Sequence, residues 1–168
     1  MPTYEGDYAT PSGRFAVVVA RFNAVVSEAL LRGCLETFTR HGVSEGRIDV
    51  FRVPGSFEIP LVAQKAAQTR RYAAVVCLGC VIRGETAHFD HVAGQAASGI
   101  MHAGLASGVP VIFGVLTTES VEQALDRSGL KAGNKGVDAA LAAIELANLL
   151  AVMEDVLSSE QPALGRDR

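Results

Sequence analysis

Apolar residues in this chain alternate between short unbroken runs and longer stretches in which they recur every three or four positions. Residues 14–21 (RFAVVVAR) enclose an unbroken β-branched run, the pattern of a strand buried on both faces. Residues 24–41 place Val26, Leu30, Cys34 and Phe38 at four-residue spacing, with Asn23 available as N-cap and Gly42 as the stop. A helix therefore follows the strand. The unit repeats, with strands over 48–53, 74–82 and 111–116 and helices over 57–68 and 88–107, before a helical region over 120–128 and 137–157. Strands that are apolar on both faces and separated by helices predict a parallel sheet covered on each side, a three-layer α/β/α sandwich. Ligands of such sheets bind beyond the carboxyl ends of the strands. The segments to inspect are thus 20–23, 53–58, 81–88 and 116–119.

Length and charge narrow the picture. A chain of 168 residues predicts one domain, with 1–13 as an N-terminal segment and 158–168 as a frayed polar tail. Subtracting 15 Lys and Arg from 18 Asp and Glu gives a net charge of −3, so no global positive field exists to hold nucleic acid or an anionic membrane. With 49% hydrophobic residues the chain can bury enough apolar surface to exclude disorder. Some of that surface is surplus. The helix over 137–157 has Leu141 and Ile144 on one side and Leu146, Leu149 and Met153 on another, more than one face against a sheet can bury. Gly94, Ala97, Gly99, Ala103 and Gly104 let the helix over 88–107 approach another backbone closely. Core packing and a subunit interface both account for these features. The longest unbroken apolar run, 73–82, falls short of the roughly 20 residues of a membrane span. The start carries Glu5 and Asp7 rather than an apolar signal core, so a cytoplasmic protein is expected. Cys34, Cys77 and Cys80 lie in apolar surroundings and read as reduced core thiols, the CxxC being split across a strand.

Candidate chemistry gathers at the strand ends. Residues 83–88 (RGETAH) join a strand to a helix, which aims free N–H groups and the positive dipole end into the crevice and makes an anion site. Thr86 suits either a cap or a phosphate oxygen, and His88 in the first turn offers an imidazole able to take or give a proton. His88, Asp90 and His91 crowd one turn and do not converge as metal ligands, so no metal is expected. In 53–60 (VPGSFEIP), Ser56 reads as a cap with Glu58 in the first helical turn, and the same pair would also bind a polyhydroxyl chain. Phe22 is an aromatic residue at a crevice position, suited to stacking on a planar heterocycle. Residues 129–136 (GLKAGNKG) match a phosphate-binding Walker loop only superficially, since the glycine spacing is one residue short and no Ser or Thr follows the lysine. Lys131 and Lys135, with Arg127 just before, form either a solvated basic loop or a site for an anionic substrate.

Taken together, ARFN at 20–23, VPGSFEIP at 53–60, GCVIRGETAHFDHV at 79–92, FGVLTTE at 113–119 and KAGNKG at 131–136 closely resemble lumazine synthase. The resemblance is collinear over nearly the whole chain. It implies a flavodoxin-like doubly wound sheet and condensation of 5-amino-6-(ribitylamino)uracil with 3,4-dihydroxy-2-butanone 4-phosphate to 6,7-dimethyl-8-ribityllumazine, without metal or organic cofactor. By the same likeness, Phe22 would stack on the pyrimidine, the backbone of Val81 and Ile82 would bond its edge, and Asn23, Ser56 and Glu58 would hold the ribityl hydroxyls. Glu85, Thr86 and Arg127 would take the phosphate, His88 would shuttle protons, and Phe113, Arg127 and Lys135 would come from a neighbouring subunit. The partners implied are small-molecule substrates, further copies of the chain in pentamers and a sixty-subunit icosahedral shell of them, and riboflavin synthase. The short connector at 129–133 carries the expectation of a shell, with residues 3–8 adding a strand to the next subunit's sheet. A non-catalytic flavin- or lumazine-binding protein, or a purely shell-forming one on the same scaffold, is the rival reading. It would need neither His88 nor the phosphate cations.

Overall fold

A computed structural model describes residues 1–159. Four strands, β1 (Arg14–Ala20), β2 (Ile48–Val53), β3 (Tyr72–Ile82) and β4 (Val111–Thr118), form an all-parallel sheet in the order β2-β1-β3-β4. Helices α1 (Ala24–Arg40), α2 (Ile59–Gln68), α3 (His88–Ser107), α4 (Val121–Asp126) and α5 (Lys135–Ser159) alternate with or follow them. The expected three-layer α/β/α sandwich is the observed one. Alternate β1 side chains enter different cores, as the two-residue strand period requires. Phe15, Val17 and Val19 pack with Leu30 and Phe38 of α1 and Ile144 of α5, whereas Ala16, Val18 and Ala20 pack with Ile59 of α2 and Ile100 of α3. Cys77 and Cys80 likewise fall on opposite faces of β3. All three cysteines are buried and free, and burial pushes the Cys80 thiol up to about 11 and raises those of Cys34 and Cys77 further.

Several boundaries differ from the sequence reading. The edge strand β2 leaves Val50 and Phe51 exposed, so it is not buried on both faces. Residues Ser56–Glu58 form a 3₁₀ turn, and α2 starts only at Ile59 with Pro60 in its first turn. Strand β4 continues past Leu116 to Thr118, and α4 closes after six residues, its start capped by the Ser120 hydroxyl accepting from Gln123 N. Helix α5 is the largest correction. It runs from Lys135 through Ser159, over the first two residues of the expected tail; the remainder of that tail lies outside the described residues. By length and composition it could cross a membrane, its most apolar stretch having a mean hydropathy of 1.7. Counting unbroken apolar runs misses this because Glu145 and Asn148 interrupt the run without lowering the average much. Ala139, Ala140, Ala143 and Ile144 of α5 are buried against the sheet.

The N-terminal segment has no strand. Asn148 on α5 donates to Asp7 O and Ala9 O, both at 3.0 Å, and the Tyr8 hydroxyl donates to Glu145 at 3.0 Å. Residues 7–9 thus lie on the chain's own α5, and the outer edge of β2 is left open.

Candidate functional site

Strand order reverses between β1, which leads outward to β2, and β3, which leads to β4. Such a switch point opens a crevice at the carboxyl ends of the two strands. The register deepens it: β1 pairs with β3 only as far as Val19 opposite Leu78, while β3 runs on beside β4 to Ile82 opposite Thr118. Past Leu78, β3 has one strand partner, and its other backbone edge faces the gap. A cleft of about 530 Å³ lies there, walled by Phe22, Asn23, Ser56, Phe57, Glu58, Val81, Ile82, Thr86, His88 and Phe89 among others.

Three turns shape this cleft. After β1, Arg21 N and Phe22 N donate to the carbonyls of Val53 and Pro54, at 2.8 and 3.1 Å, which ties the first turn to the end of β2. Asn23 sits at the N-cap position of α1 in a left-handed conformation, φ 58° and ψ 49°, which asparagine tolerates better than most residues. Its side chain does not cap the helix as the sequence suggested; it donates across the cleft floor to Cys80 O at 2.9 Å. Phe22 is thereby left projecting, 71% exposed.

Ser56 is not a helix cap either. It is 6% exposed and lies over Gly79, where a Cβ would stand 2.7 Å from its Oγ. Only glycine at 79 lets the serine settle against β3, and Glu58 then reaches the cleft from the following 3₁₀ turn.

At the third turn, His88 is the first residue of α3 and is exposed at the cleft mouth. Ala87 holds the N-cap position in place of Thr86, whose Oγ1 accepts only a long 3.4 Å contact from His88 N. The first N–H groups of α3 therefore lack a side-chain cap, as an anion site would require. Arg83 braces this turn. Its guanidinium donates to Glu119 at 2.7 Å and to Asp90 at 3.1 Å, lies 4.2 Å from the Phe89 ring centroid, and is held by Arg83 N donating to Thr118 O.

Eight of the twelve residues singled out from sequence line this one cleft: Phe22, Asn23, Ser56, Glu58, Val81, Ile82, Thr86 and His88. Glu85 is exposed on the turn outside the lining. Phe113, Arg127 and Lys135 do not reach the cleft of their own chain. Phe113 lies in a second groove, apolar and about 560 Å³, with Met101 and Leu105 of α3 and Leu146 and Leu150 of α5. Among the described residues no three His, Cys, Asp or Glu side chains are grouped to hold a metal. Sequence reasoning missed Phe57 and Phe89, which add aromatic wall, and weighed His91 only as a metal ligand. Phe57 carried a readable signal, an aromatic at a strand-end turn like Phe22, but its neighbours Ser56 and Glu58 drew the assignment.

Compared with known families, residues 12–151 match the model of 6,7-dimethyl-8-ribityllumazine synthase. The chain belongs to the 6,7-dimethyl-8-ribityllumazine synthase family. It is accordingly an enzyme, a transferase of riboflavin biosynthesis. The matched span contains every residue of the lumazine synthase cleft described above, together with Phe113, Arg127 and Lys135. Residues before 12, of which 7–9 lie on α5, fall outside it.

Proposed function

We propose that the enzyme condenses 5-amino-6-(ribitylamino)uracil with 3,4-dihydroxy-2-butanone 4-phosphate to 6,7-dimethyl-8-ribityllumazine, releasing phosphate and water. The observation that carries this reading is the cleft itself, where a projecting aromatic, a free backbone edge, hydroxyl-binding side chains and an uncapped helix start converge. Phe22 stacks on the pyrimidine, whose polar edge bonds the backbone of Val81 and Ile82. Asn23, Ser56 and Glu58 hold the ribityl chain. The phosphate sits at the start of α3 on the backbone of Glu85 and Thr86, since the Glu85 carboxylate would repel it. The 5-amino group then attacks the ketone and one water leaves. Phosphate is eliminated to an enol that becomes a second ketone, and the ribitylamino nitrogen closes the ring on that carbonyl with loss of a second water, His88 moving protons. Well-oriented reactants reach effective molarities of about 10⁵–10⁸ M, so holding the two substrates together supplies much of the acceleration.

Arg127, the cation proposed for the phosphate, comes from a second copy of the chain, and the substrate-binding Lys135 comes with it. Arg127 and Lys135 lie off the cleft of their own chain, and Phe113 opens onto a groove whose rim residues Met101 and Leu105 are 67% and 80% exposed. Apolar surface of that kind marks an interface, and a pentamer with Phe113, Arg127 and Lys135 delivered to the adjacent cleft accounts for it. The assembled enzyme works in the cytoplasm without an organic cofactor. Mixing the purified protein with both substrates and following lumazine fluorescence tests the reading. Product formation supports it, whereas assembly with tight lumazine binding and no turnover would identify a non-catalytic binding protein.

A further inference from the structure

The connector between α4 and α5 carries Arg127, just assigned to the phosphate, together with Lys135, and one side chain ties it to α1. Lys135 N donates to Arg127 O at 2.9 Å, and Ser128 pairs with Asn134 in an isolated antiparallel bridge. The loop is therefore pinched at its base, with Arg127 and Lys135 side by side across the pinch. Between the two ends lie Gly129 and Gly133, with φ of 128° and 74°, a backbone that glycine leaves soft. Asn134 is the clasp. Its Nδ2 donates to Ser128 O within the loop and to Ala29 O on α1, both at 3.0 Å, while its Oδ1 accepts from Gly136 N at 2.8 Å. Two carbonyls facing the amide nitrogen and an N–H facing the oxygen admit one orientation of the carboxamide.

The crossing of α1 and α5 is cut to receive this group. A Cβ at Gly33 would stand 2.7 Å from Asn134 Cγ, and one at Gly136 would collide with the Leu30 carbonyl. Arg127 and Lys135 themselves are exposed and bond only locally, Arg127 to Gln123 O at 3.2 Å and Lys135 toward Asp138 at 3.9 Å. Their placement relative to the sheet thus runs through the Asn134 carboxamide and its anchor on α1.

We propose that Asn134 is a positioning residue of the phosphate subsite, anchoring the pinched connector on α1 so that Arg127, with Lys135 beside it, meets the phosphorylated substrate. The inference rests on the assignment of Arg127 to the phosphate. Its test compares Arg127→Ala, Asn134→Ala and Gly33→Ala in the assembled enzyme, reading kcat and the KM of each substrate. Arg127→Ala sets the reference: losing a charge-assisted phosphate contact raises KM for the phosphorylated ketone about tenfold or more and leaves that of the pyrimidine nearly unchanged. Asn134→Ala is expected to show the same selectivity at smaller size, about threefold to tenfold, because the cations remain but are no longer oriented. Gly33→Ala adds a helix-favouring residue while expelling the carboxamide, and is expected to move the ketone KM in the same direction with assembly intact. It decides the matter should Asn134→Ala fail to assemble. A normal ketone KM in both variants, an equal loss for both substrates, or failure of both to assemble overturns the positioning role and leaves that of Arg127 standing. A normal ketone KM in Arg127→Ala overturns the phosphate assignment and the positioning role with it.

Discussion

His88 opens α3 at the cleft mouth with no side chain capping the helix start beside it, next to the site proposed for the phosphate. A single proton-transfer residue contributes about 10²–10⁴-fold, while the orientation proposed for Phe22, Asn23, Ser56 and the β3 edge would persist without it. His88→Ala is therefore expected to lower the single-turnover rate at saturating substrates by that order and still leave turnover measurable. Complete inactivity in a correctly assembled protein would move the weight of catalysis from positioning to the imidazole. At this scale the sequence was informative about residue type and poor about partner. Asn23 reads as a helix start and occupies one, yet its side chain bonds Cys80, which lies 57 residues on. Ser56 reads as a cap and is instead buried against Gly79.

Among the elements, β1, β2 and β3 are joined at the end of the sheet opposite the cleft by Asp49, which accepts two bonds from Arg14 NH2 at 2.8 and 2.9 Å and one from the Tyr72 hydroxyl at 2.9 Å. The Arg14 and Tyr72 donors, with Arg14 first, hold the Asp49 carboxyl below its ordinary range. A carboxyl depressed on folding contributes stability that is present above its unfolded value, about 3.9, and is lost as pH falls through the folded value. The melting temperature is thus expected to drop below about pH 4. In Asp49→Asn that acid limb becomes shallower, and the melting temperature at neutral pH is lower than in the parent. Calorimetry across the acid range checks both, and an unchanged acid limb would remove Asp49 from the account. Element type was legible from periodicity because β1 and β3 are apolar on both faces while the helices repeat their apolar residues every three or four positions. Boundaries slipped where local signals compete, as at Ser56–Glu58, where turn chemistry and the proline at 60 delay α2.

For the molecule as a whole, the open β2 edge, the apolar groove at Phe113 and the exposed Leu146, Met153 and Leu157 of α5 leave more apolar surface than a monomer keeps. The proposed pentamer would cover the groove and bring Arg127 and Lys135 to the next cleft. The tight connector at 129–133 would further allow pentamers to close into a shell. For residues 3–8 to pair with a neighbour's β2, the bonds from Asn148 and Tyr8 that hold residues 7–9 on α5 must first be released. Electron microscopy of the purified protein separates the outcomes. Hollow spheres support the shell, isolated or paired five-fold rings refute it while sparing the pentamer, and a monomer in solution refutes both along with the shared site.

What the sequence determined by itself was the layer architecture and the chemistry gathered at the strand ends, because both are local: strand and helix periods are read within a few residues, and Phe22, Glu58, Thr86 and His88 each stand in the short turn region that follows a strand. What only the tertiary structure decided was how far those ends stagger and which residues meet across them. The overhang of β3 past Leu78, the bond from Asn23 to Cys80, and the clasp of Asn134 on Ala29, 105 residues away, depend on register and on glycine-allowed close approach at Gly79 and Gly33. No window of sequence contains both partners of such a contact. Its geometry exists only once the sheet has been assembled and the helices laid on it.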